Sequence, residues 1–482
     1  MNTICQRLER RALTLGYATL AVLLSACEPA SEHDAKNVIL FIGDGMGIST
    51  VTAARIFDGQ SMGKSGEEHL LEFEKFPHLA LVKTYNSNQQ VPDSAGTATA
   101  MMTGEKTRAG VINIRSTVQR NDCEGAINAP LKSLGEIAKE AGKAVGFATT
   151  TRVTHATPAT VYAHAPERDW ETSWFVSETD WASGCRDIAH QLVNFSTGGG
   201  LDVALGGGRA VFLGNGRGGT RREPYEDLVE TWLQGAPNRR FVSTVDELAN
   251  ATVGETVLGL FSHSHMTYVA EREATSTEPT LTDMTLKALE LLSSNDSGYF
   301  LLVEGGRIDH GHHDGKPGYA LLEAQEFNRA IATALQQVDL DETLVLVTAD
   351  HSHVFTIGGY PTRGNPILGL VVGNDRSGEP ASEPTIAADG QPYTTLAYAN
   401  GPGAVTALPR STPDTGVGAL AQALIPTDSM NIDGSVTVDE THGGEDVALY
   451  AIGAGAEQVS GVIEQNRIFD IMTQALGWNI EQ

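Results

Sequence analysis

The chain has 482 residues, with 33 lysines and arginines against 60 aspartates and glutamates, so its formal net charge is −27. A length of this kind predicts two or three domains, or one large α/β domain with insertions, and 41% hydrophobic with 19% charged residues is a globular composition. Wholesale disorder and a bundle of membrane spans are therefore excluded. The acidic charge disfavours nucleic acid as a partner, and an anionic substrate would need a locally positive site.

The beginning of the chain has the organisation of an export signal. A basic stretch precedes an apolar run over residues 12–24, which is too short for a comfortable transmembrane helix. The sequence Leu-Ser-Ala-Cys that follows, ending at Cys27, resembles a bacterial lipobox, in which the cysteine carries lipid. We expect residues 1–26 to be a signal peptide and 27–36 a tether, with Cys27 anchoring the exported protein to a membrane of the cell envelope, at its periplasmic face or at the cell surface. An ordinary secretory signal cleaved nearby is the alternative.

Two cysteines, Cys123 and Cys185, remain in the part of the chain that would be exported. An oxidising compartment favours a disulfide over two free thiols, although two buried thiols are the alternative. The two positions are 62 residues apart. Closing such a loop would stabilise the fold by about 4 kcal/mol in the loop-entropy model.

From residue 37 onward, short apolar runs alternate with amphipathic segments. The runs of strand length lie at 38–42, 144–148, 257–261, 299–303 and 344–348. Their nearly continuous apolar character is typical of parallel strands that are buried on both faces. Apolar spacing near 3.6 residues predicts helices at 131–141, 281–292 and 320–338. The pattern predicts an α/β fold with a doubly wound, mainly parallel sheet flanked by helices.

One segment, 361–440, interrupts this alternation. It is rich in proline, glycine and serine and lacks strong periodicity, and a strand pattern returns at 447–452. We predict a catalytic core over 37–360, an inserted subdomain over 361–440, and the C-terminal part of the core over 441–482. A cap at a dimer interface and a surface lobe are equally consistent with the insertion.

Acidic residues and histidines follow the predicted strands, where open α/β sheets bind their ligands. The first strand runs into Gly-Asp-Gly-Met-Gly, which lacks the glycine spacing of a dinucleotide loop and offers a carboxylate that suits a cation. Clusters of this kind are costly unless metals occupy them. The candidates are Asp44 after the first strand, Glu304, Asp309, His310 and His313 after the strand at 299–303, Asp350 and His351 after the strand at 344–348, and His442 after the insertion.

A candidate nucleophile lies in the sequence Pro-Asp-Ser-Ala-Gly-Thr-Ala-Thr-Ala, which begins at residue 92. The alanine and threonine run predicts a helix with Ser94 at its N-terminus, where the dipole and free N–H groups favour an alkoxide or a phosphate. A capping role for Asp93 or Ser94 is the alternative. The chain has no complete Gly-x-Ser-x-Gly motif, which disfavours a Ser/His/Asp hydrolase.

Taken together, these strings resemble alkaline phosphatase. The similarity extends in order over nearly the whole mature chain, through NVILFIGDGMG, VPDSAGTATAMMTG, TTTRVTHATPATVYAH, LLVEGGRIDHGHH, TADHSHVFTIGGY and ETHGGEDV. The resemblance implies metal-dependent hydrolysis of small phosphate monoesters through a phosphoserine on Ser94. It also implies a homodimer, with 361–440 as a crown-like insertion.

The resemblance assigns a role to each motif residue. It implies a first zinc on Asp309, His313 and His442, a second zinc on Asp44, Asp350, His351 and Ser94, and a magnesium on Asp44, Thr157 and Glu304. Arg168 would grip the substrate oxygens. Asp93, His155 and His310 would lie next to the ligands and the nucleophile. His155 and His310 match the two positions that tune the metals, and one branch of the family has histidine at both. That branch also has a disulfide matching Cys123 and Cys185.

Two other functions stay open at this stage. A phosphodiesterase of the same superfamily would not need Arg168, Thr157 or Glu304. A non-catalytic, metal-binding surface lipoprotein would need neither Ser94 nor Arg168, so the presence of both disfavours it.

Overall fold

The fold is organised around a ten-stranded sheet. A computed structural model describes residues 34–407, 410–430, 436–478 and 480 of the chain. The predicted signal peptide, Cys27 and most of the tether lie outside these residues. The strands are β1 (Asn37–Gly43), β2 (His78–Lys83), β3 (Ala144–Arg152), β4 (Val203–Gly207), β5 (Arg239–Val242), β6 (Thr256–Leu260), β7 (Tyr299–Glu304), β8 (Thr343–Ala349), β9 (Ser352–His353), β10 (Phe355–Ile357), β11 (Leu396–Asn400), β12 (Gln422–Ile425), β13 (Asp428–Met430), β14 (Val436–Val438), β15 (His442–Gly443), β16 (Val447–Gly453) and β17 (Ser460–Glu464). The α-helices are α1 (Ile48–Ser61), α2 (Ser94–Thr103), α3 (Cys123–Asn128), α4 (Leu134–Glu140), α5 (Ala156–Ala159), α6 (Glu178–Ser183), α7 (Ile188–Asn194), α8 (Leu228–Gln234), α9 (Val245–Ala249), α10 (Leu281–Leu292), α11 (Arg307–His313), α12 (Pro317–Leu335) and α13 (Arg467–Ala475).

The large sheet has the strand order β17-β2-β16-β8-β1-β7-β3-β4-β6-β5. Within it only β16 runs against the others, pairing antiparallel with both β2 and β8. The three central strands β8, β1 and β7 are buried along nearly their whole length, as expected of strands covered on both faces. The predicted α/β class with a doubly wound, mainly parallel sheet is confirmed.

The helix boundaries follow capping chemistry more closely than apolar spacing. Helix α10 matches its prediction and begins after Thr280, whose side chain accepts from the N–H of Asp283. The segment predicted to start at 131 begins as α4 only at Leu134, because Ser133 forms a capping box with Glu136. The helix predicted at 320–338 is shifted to α12, which starts with Pro317 in its first turn. Of the described helices, none is both long and apolar enough to cross a membrane.

The segment 361–440 forms strands that periodicity did not reveal. Strand β11 pairs with both β10 and β12 in a separate three-stranded sheet, and β13 pairs with β14. None of these four strands from the segment joins the large sheet in the part of the chain described. Immediately after the segment, β15 pairs antiparallel with β9, which brings His442 opposite His353. The domain boundaries at 361 and 440 stay predictions.

A disulfide joins Cys123 to Cys185, as predicted. The two cysteines form a small buried cluster with Trp170 and Val176. Trp170 follows Arg168 by two positions, so the disulfide lies under the segment that carries this arginine. The bridge therefore ties α3 and the segment after α6 to a part of the candidate site.

Candidate metal centre

The predicted site residues converge at the carboxyl ends of neighbouring strands. Asp44 directly follows β1, Glu304 is the last residue of β7, and Asp350 directly follows β8. Because β8, β1 and β7 are adjacent and parallel, their ends meet at one edge of the sheet. All three carboxylates are completely buried. The topology thus brings together acids that lie up to 306 positions apart in the sequence.

One group of side chains consists of Asp309, His313 and His442, with His353 beside them. Asp309 and His313 lie one turn apart on α11, and Oδ1 of Asp309 is 3.3 Å from Nε2 of His313 and 3.4 Å from Nε2 of His442. The two Nε2 atoms of His313 and His442 are 3.0 Å apart. The spacing of four positions therefore presents both α11 side chains to the same point.

The hydrogen bonds of these two imidazoles reveal their tautomers. Nδ1 of His313 donates to the carbonyl oxygen of Glu440 at 2.6 Å, and Nδ1 of His442 donates to that of Pro92 at 2.8 Å. A carbonyl only accepts, so in the neutral rings both Nε2 atoms carry lone pairs. Two lone pairs that face each other at 3.0 Å are unfavourable unless a proton on one ring or a metal cation lies between them. This donor set and its second-layer hydrogen bonds fit a metal ion.

A second group consists of Asp44, Asp350 and His351, all completely buried. Nε2 of His351 lies 3.4 Å from Oδ1 of Asp44 and 3.3 Å from Oδ2 of Asp350. The hydroxyl of Ser94 is 3.2 Å from the same nitrogen. Oδ1 of Asp350 accepts from the N–H of Gly45 at 3.0 Å, which fixes the carboxylate relative to the loop after β1. The nucleophile candidate and three predicted ligands therefore share one point.

A third group consists of Asp44, His155 and Glu304, and the side chain of Thr157 lies next to Glu304. Both carboxylate oxygens of Asp44, Oε1 of Glu304 and Oγ1 of Thr157 are buried and have no hydrogen-bond partner among the described residues. Oε2 of Glu304 accepts from Thr151 at 3.1 Å and from Thr149. Buried polar atoms of this kind are costly without a partner, and several converging oxygens are the ligands that Mg²⁺ prefers. The unpartnered oxygens fit a bound cation.

The electrostatics of the carboxylates point the same way. Burial and the neighbouring charges of Asp350, Asp309 and Glu304 raise the pKa of Asp44 well above its usual range. Burial also raises the pKa of Asp350, and it raises that of Glu304 to about 7 against the lowering effect of hydrogen bonds from threonines. Divalent ions would neutralise this cluster and keep the acids ionised.

Asp93 connects the nucleophile candidate to Arg168. Asp93 caps α2, because Oδ1 accepts from the N–H of Gly96 at 3.1 Å, so Ser94 is the first residue of the helix. Oδ2 accepts from Nη1 of Arg168 at 3.1 Å and from the N–H of Gly110 at 2.8 Å. The capping role that sequence alone offered as an alternative belongs to Asp93, which leaves the hydroxyl of Ser94 in contact with His351.

Comparison with known proteins decides the family. Residues 35–478 match the family model described as alkaline phosphatase. The chain is 43% identical to the tissue-nonspecific alkaline phosphatase of Gallus gallus, over 92% of this chain and 85% of the relative, and 42% identical to that of Homo sapiens, over 92% and 83%. It is also 41% identical to the alkaline phosphatase of Gadus morhua, over 92% of both chains. The chain belongs to the alkaline phosphatase family.

Solved structures of alkaline phosphatases have the same fold. The Thermus thermophilus enzyme aligns with a TM-score of 0.66 at 24% identity, over 94% of this chain and 93% of that one. The enzyme from the Antarctic bacterium TAB5 aligns with a TM-score of 0.61 at 24% identity, over 93% and 99%. As a member of the alkaline phosphatase family, the protein is a phosphoric monoester hydrolase whose activity depends on divalent metals.

Two further residues contribute to this alkaline phosphatase site: His353, which the resemblance implies is not a ligand but lies next to the ligands, and Glu440, which sequence reasoning missed. His353 donates from Nε2 to Asp309 at 2.8 Å and from Nδ1 to Glu440 at 2.5 Å. Although burial acts against it, the carboxylate of Glu440 and both hydrogen bonds raise the pKa of His353 to about 10. Both ring nitrogens are therefore occupied, and His353 orients Asp309. The alternation in Asp-His-Ser-His was the available signal, because it points two histidines in one direction from a short strand.

Proposed function

We propose that the protein hydrolyses phosphate monoesters through a phosphoserine on Ser94, with two zinc ions and one magnesium ion. The observation that carries the proposal is the pair of Nε2 lone pairs of His313 and His442, which face each other at 3.0 Å beside the buried carboxylate of Asp309. This arrangement lies at the same sheet edge as Ser94 and Arg168. Binding a metal alone would require neither of these two residues.

The donor atoms support the assignment of the ions. Zinc favours mixed nitrogen and oxygen ligands, which are offered by Asp309, His313 and His442 and, in the second group, by Asp44, Asp350, His351 and the hydroxyl of Ser94. Magnesium favours oxygen, offered by Asp44, Thr157 and Glu304. When bound, such ions neutralise phosphate charge and lower the pKa values of the hydroxyl and of water.

The chain's own residues bind and orient the substrate. The planar guanidinium of Arg168 would bind two non-bridging oxygens of the phosphoryl group and hold phosphorus in front of Oγ of Ser94. Asp93 and His155 each engage one guanidinium nitrogen, at 3.1 and 3.2 Å, so the fork is oriented before substrate arrives. The N-terminal position of Ser94 on α2 adds a favourable field for the incoming dianion.

Two displacement steps complete the reaction. Oγ of Ser94 attacks phosphorus, the bond to the leaving alcohol oxygen breaks, and the alcohol departs with a proton. Water then attacks the phosphoserine, which releases inorganic phosphate and restores the hydroxyl of Ser94. Burial lowers the pKa values of His155 and His310 well below 6.5, and the neighbouring charges of Arg168 at His155 and of Arg307 at His310 lower them further. Both rings are therefore neutral at alkaline pH.

Release of phosphate from a chromogenic monoester tests this proposal. We expect turnover at alkaline pH that is lost on chelation and restored by zinc and magnesium together. A metal-loaded protein that hydrolyses a chromogenic diester in preference to the monoester would instead support a phosphodiesterase. No turnover of either ester by protein of verified metal content would reject the catalytic proposal.

We also propose that the protein is exported, lipid-anchored at Cys27 and homodimeric. The N-terminal signal and lipobox pattern support export and anchoring in the cell envelope, and family resemblance supports the dimer, with 361–440 as its crown. Mass spectrometry of the mature N-terminus should find an acylated Cys27, and an N-terminus without lipid would reject the anchor. Deletion of 361–440 should give monomers in light scattering, and a persistent dimer would reject the role of the crown.

A further inference from the structure

A loop with two histidines follows β6 and has no role in the function proposed above. Its sequence is Ser-His-Ser-His over residues 262–265, and it ends at His265. His263 is exposed, whereas His265 is partly buried and packs against two rings from other elements. The ring centroid of His265 lies 5.4 Å from that of His155 and 4.3 Å from that of His310. The fold thus forms a wall of three imidazoles from three segments of the chain.

Each imidazole of this wall contacts a different arginine. Nη2 of Arg168 donates to Nε2 of His155 at 3.2 Å, and Nη1 of Arg307 donates to Nδ1 of His310 at 2.8 Å. Nη1 of Arg152 donates to Nε2 of His265. A guanidinium has no acceptor, so each of these ring nitrogens is the unprotonated one. The orientation of every ring is therefore linked to the orientation of an arginine.

His265 reaches Arg168 by two separate routes. The first passes through the ring of His155, which meets His265 edge to face at an interplanar angle of 80° and accepts from Arg168. The second passes through Arg152, whose guanidinium binds the buried carboxylate of Glu171 with two hydrogen bonds. Glu171 follows Arg168 by three positions in the same segment. A displacement of His265 would therefore release both the ring that contacts Arg168 and the segment that carries it.

We propose that His265 is a positioning residue for Arg168, holding its guanidinium in the orientation that binds the phosphoryl group. The inference rests on the proposed role of Arg168. A planar fork gains its advantage over a point charge only while its direction is fixed. Asp93 holds one nitrogen of the fork, and the second nitrogen depends on His155, which His265 supports from behind.

The test compares phosphate binding in variants of the metal-loaded enzyme. His265→Ala should weaken competitive inhibition by inorganic phosphate about tenfold, which corresponds to about 1.4 kcal/mol, and should raise KM more than it lowers kcat. Zinc and magnesium content should stay at the wild-type level. His265→Gln, which retains bulk and an acceptor for Arg152, should recover most of the affinity. His263→Ala is the matched control in the same loop and should behave as wild type.

Three results would overturn the inference. The first is unchanged phosphate affinity in a folded His265→Ala protein, and the second is a loss of affinity that parallels a loss of metal, since this would indicate a scaffold role. If the alanine variant does not fold, His265→Leu, which keeps bulk but offers Arg152 no acceptor, carries the same expectation, and wild-type affinity in that variant is the third. Arg168→Ala separates the two proposals. If this variant binds phosphate with wild-type affinity, the proposed role of Arg168 is wrong. If Arg168→Ala binds phosphate more weakly while His265→Ala keeps wild-type affinity, only the role of His265 is rejected.

Discussion

Asp93 combines a helix cap with an ion pair, and substitution should separate the two. Its Oδ1 caps α2 through the N–H of Gly96 and also accepts from Asn86, and its Oδ2 binds Gly110 and Arg168. Asp93→Ala removes a helix cap and a hydrogen bond from the N–H of Gly110, each worth about 1 kcal/mol. It also removes the ion pair with Arg168, whose two side chains are 18–19% exposed, and a partly exposed pair of this kind contributes about 1 kcal/mol. The free energy of unfolding should fall by about 3 kcal/mol.

Asp93→Asn should affect function more than stability. Asparagine is as good a cap as aspartate, so α2 should stay intact, and the loss should be about 1–2 kcal/mol from the weakened contacts to Gly110 and Arg168. The fork of Arg168 loses a charged partner, so the inhibition constant for phosphate should rise about tenfold. Urea unfolding of the metal-loaded protein measures the first effect, and competitive inhibition measures the second.

Asp227 provides a matched control elsewhere in the chain. It caps α8 through the N–H of Glu230 and its Oδ2 binds Arg217 at 2.8 Å, so it has the same two roles as Asp93. Asp227→Asn should leave phosphate inhibition unchanged. The argument that Asp93 orients Arg168 is wrong if phosphate inhibits the Asp93→Asn variant as strongly as the wild type. It is also wrong if Asp227→Asn weakens inhibition by phosphate as much as Asp93→Asn does.

Three further substitutions test the centre and the disulfide. Ser94→Ala should form no acid-stable phosphoenzyme with radiolabelled phosphate while its metal content, measured by mass spectrometry, stays near wild type; full labelling would remove Ser94 from its role. In chelated protein, Glu304→Gln should raise the free energy of unfolding in urea at about pH 8 and leave it nearly unchanged at about pH 4.5. The pKa of Glu304 is about 7 in the folded wild type against 4.5 in the unfolded chain, so the free energy of unfolding falls as pH rises from about 4.5 to 7. An equal effect of Glu304→Gln on the free energy of unfolding at both pH values would contradict this shift. Cys123→Ser should lower the free energy of unfolding by about 4 kcal/mol, because the disulfide closes a loop of 62 residues. Calorimetry that shows no loss of stability would mean that the bridge does not restrain the unfolded chain.

The sequence by itself determined the local features of this protein. The buried runs of β1, β7 and β8 and the amphipathic pattern of α10 depend on residues that are neighbours in the chain, so periodicity predicted them. The acids at 44 and 350 each follow a strand and the acid at 304 ends one, and parallel pairing makes their convergence predictable. Helix starts were missed where a cap such as Ser133 overrides apolar spacing.

Only the tertiary structure decided which side chains face one another across the site. His442 reaches His313, 129 positions away, because β15 pairs with β9 after an insertion whose strands have no clear period. The tautomers of these rings depend on backbone carbonyls, and the support of Arg168 by His265 depends on ring packing between separate segments. Such contacts are set by the path of the chain through space, which local patterns do not specify. The sequence therefore determined which chemistry was available, and the fold determined how it was aligned.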